Sequence, residues 1–215
     1  MRVILNQGLG DFIALGGALV HLSRQYPALE VNHQPHYART LGQIFKGHNI
    51  TFVPPDPWNK RPNGEYVSIQ PHAPFGNGTD HYTHIYRDML GLDYSARWTL
   101  CPIKDNRFRT EQQLSIPPQP YAFIHDDVAR RFVIMNSYIS SGLYIVHPVT
   151  PMFESILAYC DWIENAAEVH VMDSSFFHLT EQLDPKGKLF YHRYVRPYTP
   201  VWQDYATRHE WMVIS

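Results

Sequence analysis

A glycine-rich turn with one carboxylate, residues 8–11 (Gly-Leu-Gly-Asp), is the first segment whose residue types could do chemistry. It follows the apolar run 2–5 and precedes apolar residues at helical spacing, which predicts a strand, a turn and a helix. Gly8 and Gly10 allow the backbone to approach a ligand, and a helix N-terminus attracts negative charge. The turn is not a dinucleotide fingerprint, because Ile13 stands where the third glycine is needed. Asp11 is either a general base or an N-cap of the helix, and the residues alone leave both open.

A second polar segment, residues 173–178, follows an apolar strand and opens another predicted helix. The carboxyl ends of parallel strands are where ligands bind in α/β sheets. Asp173, Ser174 and Ser175 offer hydroxyls and backbone N–H groups that suit a phosphate, and His178 lies within reach of the same helix start. The alternative is an ordinary Asp/Ser helix cap with His178 packed on the helix face.

A third segment, residues 125–131, also follows a strand and joins His125 to a pair of arginines. Arg130 and Arg131 could hold a diphosphate through paired hydrogen bonds, or they could be two solvated surface cations. The acidic pair at 126–127 does not indicate a metal site, because the chain has no Asp-x-Asp pattern.

Other metal or nucleophile motifs are weak or missing. The histidine pairs 33/36 and 81/84 have metal-compatible spacings without supporting carboxylates, so we expect them to be surface or core residues. Cys101 and Cys160 are too few for a disulfide framework or a cysteine metal site. We therefore expect neither a bound metal nor a cofactor.

The elements that must position these segments alternate between strands and helices, the pattern of a parallel α/β fold. The predicted strands are 2–5, 29–33, 50–53, 66–69, 121–125, 143–147, 169–172 and 189–194; the predicted helices are 12–22, 37–45, 81–90, 152–166 and 175–183. The segments 54–64 and 71–78 are predicted to be long loops. The proline-rich segment 116–120 is predicted to join two domains, 1–115 and 116–215, as Rossmann-like halves that face each other across a cleft.

Composition limits the classes of function. The chain has 215 residues and a formal net charge of -2, and 44% of its residues are hydrophobic, so a disordered chain is excluded. The near-neutral charge argues against a protein that binds nucleic acid mainly by neutralising phosphates. No apolar run is long enough to span a bilayer, and the N-terminus has no signal-peptide pattern, so we expect a cytoplasmic protein, in the host cytoplasm if it is viral.

In this order, the three polar segments resemble those of the two-domain, B-type (GT-B) glycosyltransferases, and the heptosyltransferase group most of all. Residues 1–22 look like the opening of that group: a strand, a Gly-Asp turn and a helix of small residues. Residues 169–179 (VHVMDSSFFHL) look like its donor-site segment, with Ser175 in place of a glycine. Residues 121–134 stand where such proteins begin their second domain, and the chain is similar to compact glycosyltransferases of bacteria and phages.

The resemblance implies a metal-independent glycosyltransferase that moves a sugar from a nucleotide sugar to an acceptor hydroxyl. Asp11 takes the role of general base in an acceptor-side first half. The second half binds the nucleotide sugar, and the donor-binding residues are Gly8, Gly10, His125, Arg130, Arg131, Asp173, Ser174, Ser175 and His178. The aromatic residues Trp58, Phe75 and Tyr82 could line an acceptor site for a glycan or a small molecule.

Two other functions stay open. A phage-type DNA glycosyltransferase would act on a hydroxymethylated base, but it would need a basic stripe that the charge of the chain does not favour. A nucleotide- or sugar-binding protein without catalysis would fit the short chain and the serine at position 175.

Overall fold

The chain divides into two compact units, Met1–Arg109 and Thr110–Ser215. The computed structural model describes residues 1–4, 8–54, 66–68, 81–106, 114–148, 155–196 and 207–215. Most of the predicted loops 54–64 and 71–78, with Trp58 and Phe75, lies outside the described residues. The division falls ahead of the proline-rich segment 116–120, and the cleft expected from the sequence stays a prediction.

The first unit contains a sheet of four parallel strands. The strands are β1 (Arg2–Ile4), β2 (Leu29–Asn32), β3 (Ile50–Val53) and β4 (Tyr66–Ser68), in the order β3-β2-β1-β4. Val3 pairs with Val31 on one side and with Val67 on the other. The four predicted strands are therefore confirmed, and β1 lies between strands that come much later in the chain.

The first predicted helix is interrupted, which the sequence pattern did not indicate. Instead of one helix over 12–22, α1 (Leu9–Ala14) and α2 (Gly16–Gln25) meet at Leu15. The buried hydroxyl of Tyr86 fills the break: it donates to the carbonyl of Ala14 at 3.0 Å and accepts from the N–H of Ala18 at 3.1 Å. A side chain from far along the chain therefore satisfies the backbone groups that the break leaves open.

The remaining helices in the described part of this unit are short. They are α3 (Ala38–Ile44), α4 (His81–Thr83) with the π-helical turn His84–Met89, α5 (Ala96–Thr99) and α6 (Ile103–Asn106). Gly17 explains why α2 is built of small residues: a Cβ on Gly17 would stand 2.0 Å from the carbonyl oxygen of Ala96. The close approach of α2 and α5 thus requires glycine.

The second unit contains a sheet of five parallel strands. The strands are β5 (Tyr121–Ile124), β6 (Tyr144–Val146), β7 (Glu168–Val171), β8 (Lys188–His192) and β9 (Met212–Ile214), in the order β6-β5-β7-β8-β9. The sequence did not predict β9. The predicted strand 189–194 also extends beyond the end of β8, because the chain turns into a 3₁₀ helix at Arg193–Val195.

The two faces of the second sheet are covered differently. On one face, α7 (Cys160–Asn165), α8 (Ser175–Thr180) and the 3₁₀ turn Ile156–Tyr159 supply aromatic core residues such as Phe176. The predicted helix 152–166 is therefore part 3₁₀ and part α, and its first residues lie outside the described ones. Between β5 and β6, the chain forms only 3₁₀ turns, at Val128–Arg130 and Asn136–Tyr138. Each unit is an α/β, Rossmann-like half, as the alternation of elements predicted.

Candidate functional site

The order of the strands identifies one ligand-binding edge in each sheet. In an open parallel sheet, ligands bind at the carboxyl ends of two adjacent strands from which the chain departs in opposite directions, the switch point. In the first sheet that position lies between β1 and β4, and in the second it lies between β5 and β7. Asp11 follows β1, His125 follows β5, and Ser174 follows β7, so the three predicted segments all lie at switch points.

Asp11 is half-buried in the first turn of α1. Its Oδ2 accepts a hydrogen bond from the N–H of Gly8 at 3.1 Å, and its Oδ1 accepts one from the hydroxyl of Tyr82 at 2.7 Å. The N-cap residue is Gly8, because the helix begins at Leu9 rather than at residue 12. Asp11 is therefore not the N-cap residue itself, but its carboxylate does cap the start of the helix, because it reaches back to the N-cap backbone from the third helical position.

Tyr82 reaches Asp11 from the segment that follows β4. Its side chain is 1% exposed, so the ring belongs to the core and only the hydroxyl is directed to the carboxylate. The guanidinium of Arg97, itself fully buried, lies 5.3 Å from the centre of this ring. Arg97 also donates to the hydroxyl of Tyr94 at 2.7 Å. A cation on aromatic faces thus supports the tyrosine that holds Asp11.

His125 marks the end of β5 in the second sheet. Its ring packs on Phe176 with the ring centres 4.3 Å apart. Burial lowers the pKa of His125 to about 4, against the opposing charge of Asp127, so the imidazole is neutral at pH 7. Its Nδ1 is buried and has no hydrogen-bond partner within the described part of the chain. Such an atom costs free energy unless a ligand or a water fills its hydrogen-bonding capacity.

Ser174 provides a second such atom just after the neighbouring strand, β7. It is the N-cap residue of α8, but its hydroxyl makes no capping hydrogen bond. Among the described residues, its buried Oγ has no hydrogen-bond partner either. The alternative of an ordinary serine cap therefore does not describe Ser174, whose hydroxyl is left for another group. Ser175 begins α8 and Asp173 precedes the cap, as the sequence indicated.

Arg130 and Arg131 occupy different environments. The guanidinium of Arg130 is bound by the carboxylate of Asp127, with Nε donating to Oδ2 at 2.5 Å. Burial alone would raise the pKa of Asp127, but the hydrogen bonds from Arg130 hold it below its ordinary value. Arg131 is exposed and has a left-handed backbone, with φ at 63°. Arg130 is thus oriented by a carboxylate, and Arg131 ends the turn.

Arg196 is a cation at this site that the sequence analysis missed. Its Nη1 donates to the carbonyl oxygen of Asp173 at 2.5 Å and lies 3.7 Å from the carboxylate of the same residue. Its guanidinium lies 5.4 Å from the ring centre of Phe132, and that of Arg130 lies 5.7 Å from it. Two arginines are therefore gathered around one ring. The available signal was that Arg196 follows the end of β8, the strand beside β7.

The other predicted residues lie as follows. His178 is buried, with its ring 5.2 Å from that of Phe177, so the geometry favours the packing alternative for this residue. Gly8 is exposed at the helix start, and Gly10 lies inside α1. His33 bonds the carbonyl oxygen of Gln34 at 2.7 Å. In the described ranges, no three His, Cys, Asp or Glu side chains are grouped so that they could hold a metal ion.

A row of buried, hydrogen-bonded polar side chains crosses β7 and β8. The sequence analysis did not single it out. Glu168 accepts from the hydroxyl of Ser140 at 2.5 Å and lies 3.1 Å from Nε2 of His170. Nδ1 of His170 lies 2.9 Å from Nε2 of His192. A carboxylate only accepts, so Nε2 of a neutral His170 donates to Glu168, and Nε2 of His192 donates to His170. Nδ1 of His192 is then an acceptor, buried and without a partner in the part of the chain that is described.

Comparisons with known proteins identify the fold. No family model matches the chain, and no curated protein matches its sequence. The iron-containing dodecameric glycosyltransferase TibC of enterotoxigenic E. coli is similar in structure, with 12% identity and a TM-score of 0.52 over 89% of this chain and 57% of that one. This chain thus spans little more than half the length of TibC.

The E. coli heptosyltransferase WaaC is similar in two solved structures. The one with ADP-2-deoxy-2-fluoro heptose has 12% identity and a TM-score of 0.52, over all of this chain and 93% of that one. The one with ADP has 13% identity and a TM-score of 0.51, over all of this chain and 90% of that one. At these identities the likeness concerns the fold: the chain has a heptosyltransferase-like, GT-B-type fold, which confirms the predicted α/β, Rossmann-like class, while the cleft between the halves stays a prediction. No helix in the described ranges has the length and apolar character needed to cross a membrane.

Proposed function

We propose that the protein is a glycosyltransferase that moves a sugar from a nucleotide-sugar donor to an acceptor hydroxyl. The observation that carries the proposal is a pair of buried polar atoms, Nδ1 of His125 and Oγ of Ser174, which have no partner among the described residues. The two residues follow adjacent strands, β5 and β7, at a switch point. A ligand with several hydrogen-bonding groups would satisfy both. The solved structures of similar fold include one with ADP and one with an ADP-sugar analogue, which supports a nucleotide sugar as that ligand.

The donor would bind in the second unit, with its diphosphate near Ser174 and Ser175. Departure of a nucleoside diphosphate leaves negative charge on the phosphates, and fixed cations lower the barrier by stabilising it. Arg130 and Arg196 would supply that charge, since both guanidiniums are already oriented around Phe132. Both also carry a carboxylate partner, so the phosphates would compete with Asp127 and Asp173 for the same donors.

The acceptor would be activated in the first unit by Asp11. In this reaction the acceptor oxygen forms a bond to the anomeric carbon, the bond from that carbon to the phosphate breaks, and the acceptor's proton goes to a base. A carboxylate placed at a switch point and bonded to a backbone N–H can accept that proton. Arginines and hydroxyls would stabilise the leaving group, so we propose transfer without a metal ion. Gly8 and Gly10 would allow close approach to the turn that contains Asp11.

Ligand binding is tested by thermal unfolding with a panel of nucleoside diphosphates and nucleotide sugars. A compound that binds only the folded state raises Tm as its concentration exceeds Kd. In Ser174→Ala, the hydroxyl removed has no hydrogen-bond partner among the described residues and its burial costs free energy, so we expect a Tm without ligand that is equal to or higher than that of the wild type. We also expect a Kd for the binding nucleotide that is about 3- to 10-fold weaker, the loss of one hydrogen bond.

Ser155→Ala is the matched control, because Ser155 is also a buried serine N-cap but accepts from the N–H of Leu157. Its loss should lower Tm and leave the ligand-induced shift intact. If no nucleoside diphosphate or nucleotide sugar raises Tm, the proposed function is rejected. If a compound binds equally well to Ser174→Ala, the donor site lies elsewhere.

A further inference from the structure

Tyr82 forms a direct side-chain hydrogen bond to Asp11. Its hydroxyl donates to Oδ1 at 2.7 Å, while the N–H of Gly8 donates to Oδ2 at 3.1 Å. The two donors come from segments that follow β4 and β1, the strands on either side of the switch point. One donor on each oxygen fixes the plane of the carboxylate. Asp11 is therefore held in one orientation by donors from both sides of the switch point.

The ring of Tyr82 cannot move away easily. The side chain is 1% exposed, and the fully buried guanidinium of Arg97 lies 5.3 Å from its centre. Arg97 also lies near the rings of Tyr94 and Trp98. A cation against the face of a phenol draws electron density from the ring and makes its hydroxyl a stronger donor. Arg97 therefore strengthens the hydrogen bond from Tyr82 to Asp11.

We propose that Tyr82 is the positioning residue of Asp11. It directs the carboxylate and favours its charged form, because a hydrogen bond to a carboxylate stabilises the charge. The role assigned to Asp11 rests on the proposed function, whereas the coupling of Tyr82 to Asp11 does not. During transfer, Asp11 would receive the acceptor's proton and Tyr82 would keep its own.

The coupling can be measured without a substrate by NMR titration of ¹³C-labelled aspartate side chains. The Asp11 signal is assigned by its absence in Asp11→Asn. In Tyr82→Phe, we expect the midpoint of the Asp11 titration to rise by about one pH unit, the effect of removing one hydrogen bond to the charged form. A midpoint that does not move would overturn the proposal.

Tyr86→Phe is the matched control, because Tyr86 is a neighbouring buried tyrosine whose hydroxyl bonds the backbone at the helix break rather than Asp11. It should lower Tm and leave the Asp11 midpoint unchanged. A second measurement on the wild-type protein covers a failure of Tyr82→Phe to fold. In the wild type, the Tyr82 hydroxyl proton should give a downfield, slowly exchanging signal that shifts as Asp11 titrates. If this signal does not move with the Asp11 titration, the proposal is rejected.

Turnover separates this proposal from the proposed function. With a nucleotide sugar that the protein uses, Tyr82→Phe should lower kcat about 10-fold and leave KM for the donor unchanged. If Tyr82→Phe has a normal kcat while Asp11→Asn loses transfer, the positioning role of Tyr82 is rejected and the proposed glycosyltransferase function is kept. If the Asp11 titration shifts in Tyr82→Phe but the protein binds no nucleotide, the positioning role is kept and the proposed glycosyltransferase function is rejected.

Discussion

The buried histidines of the second sheet should make this protein sensitive to mild acid. Burial and the neighbouring His170 lower the pKa of His192 to about 4, and His192 is fully buried between strands. Tyr138 and Tyr194 pack against the same ring, and neither supplies a negative charge that would stabilise an imidazolium. Burial also lowers the pKa of His170, although Glu168 opposes this effect. The folded chain therefore excludes a proton from His192 until the pH is far below the ordinary histidine range.

The sign and size of the effect follow from proton linkage. Unfolded histidine has a pKa near 6.5, so between about pH 6.5 and 4 the unfolded chain binds a proton that folded His192 does not. Stability is then complete above about pH 6.5 and falls as the pH is lowered. The slope is about 1.4 kcal/mol per pH unit for one histidine. Over the whole window His192 costs on the order of 3 kcal/mol, which is large against a typical 5–15 kcal/mol. His125, with a pKa of about 4, adds to the slope in the same direction.

Urea unfolding at pH 7, 6 and 5, followed by tryptophan fluorescence, measures this slope. In His192→Gln, the amide nitrogen can still donate to His170 but does not titrate, so we expect the loss of stability between pH 7 and pH 5 to be smaller by about 2 kcal/mol. His36→Gln is the control, because His36 is exposed and its replacement should leave the slope unchanged. If the slopes of His192→Gln and the wild type coincide, His192 does not exclude a proton in the folded state and the reasoning is refuted.

Further substitutions test the site and the packing. Asp11→Asn should reduce transfer about 10²–10⁴-fold while the nucleotide-induced rise in Tm persists, as measured by product formation and thermal unfolding. Arg196→Ala should weaken nucleoside diphosphate binding by about 1.5–3 kcal/mol in calorimetry, and an effect confined to Arg130→Ala would assign the phosphates to the other cation. Gly17→Ala should destabilise the first unit by about 3 kcal/mol in urea, because its Cβ would stand 2.0 Å from a carbonyl oxygen. Gly42→Ala, inside α3 with no atom within 4 Å of the added Cβ, should instead stabilise by about 0.5–1 kcal/mol.

Local patterns predicted the parts of the fold that depend on local sequence. A buried parallel strand is a short apolar run, so its position can be read from its own residues, and eight of the nine strands in the described part of the chain were found in this way. The polar residues just after such runs could also be identified, because the carboxyl ends of parallel strands gather at one edge. That reasoning found Asp11, His125 and Ser174.

The parts that were missed depend on contacts between distant residues. The break at Leu15 exists because Tyr86 satisfies the backbone there, and nothing in the residues of the helix signals this. The start of β9 is held in part from the end of α8, where the C-cap residue Glu181 accepts from the side chain of Trp211 at 2.8 Å. Arg196 reaches Asp173 only because β7 and β8 are adjacent, which the order of strands along the chain does not specify. Pairing and side-chain reach are properties of the folded molecule.

The polar groups at the two switch points differ in whether they have hydrogen-bond partners. In the first unit, the carboxylate of Asp11 has a donor on each oxygen, one from a backbone N–H and one from a buried tyrosine. A group prepared in this way keeps its orientation without a ligand, which is what a base that acts once per turnover requires. In the second unit, His125 and Ser174 keep buried atoms without a partner in the described chain, at a cost of about 1–3 kcal/mol each. That free energy is recovered when a ligand supplies the missing hydrogen bonds. Under the proposed function, Asp11 is oriented before the ligand binds, whereas the hydrogen bonds of His125 and Ser174 form only when the donor is present.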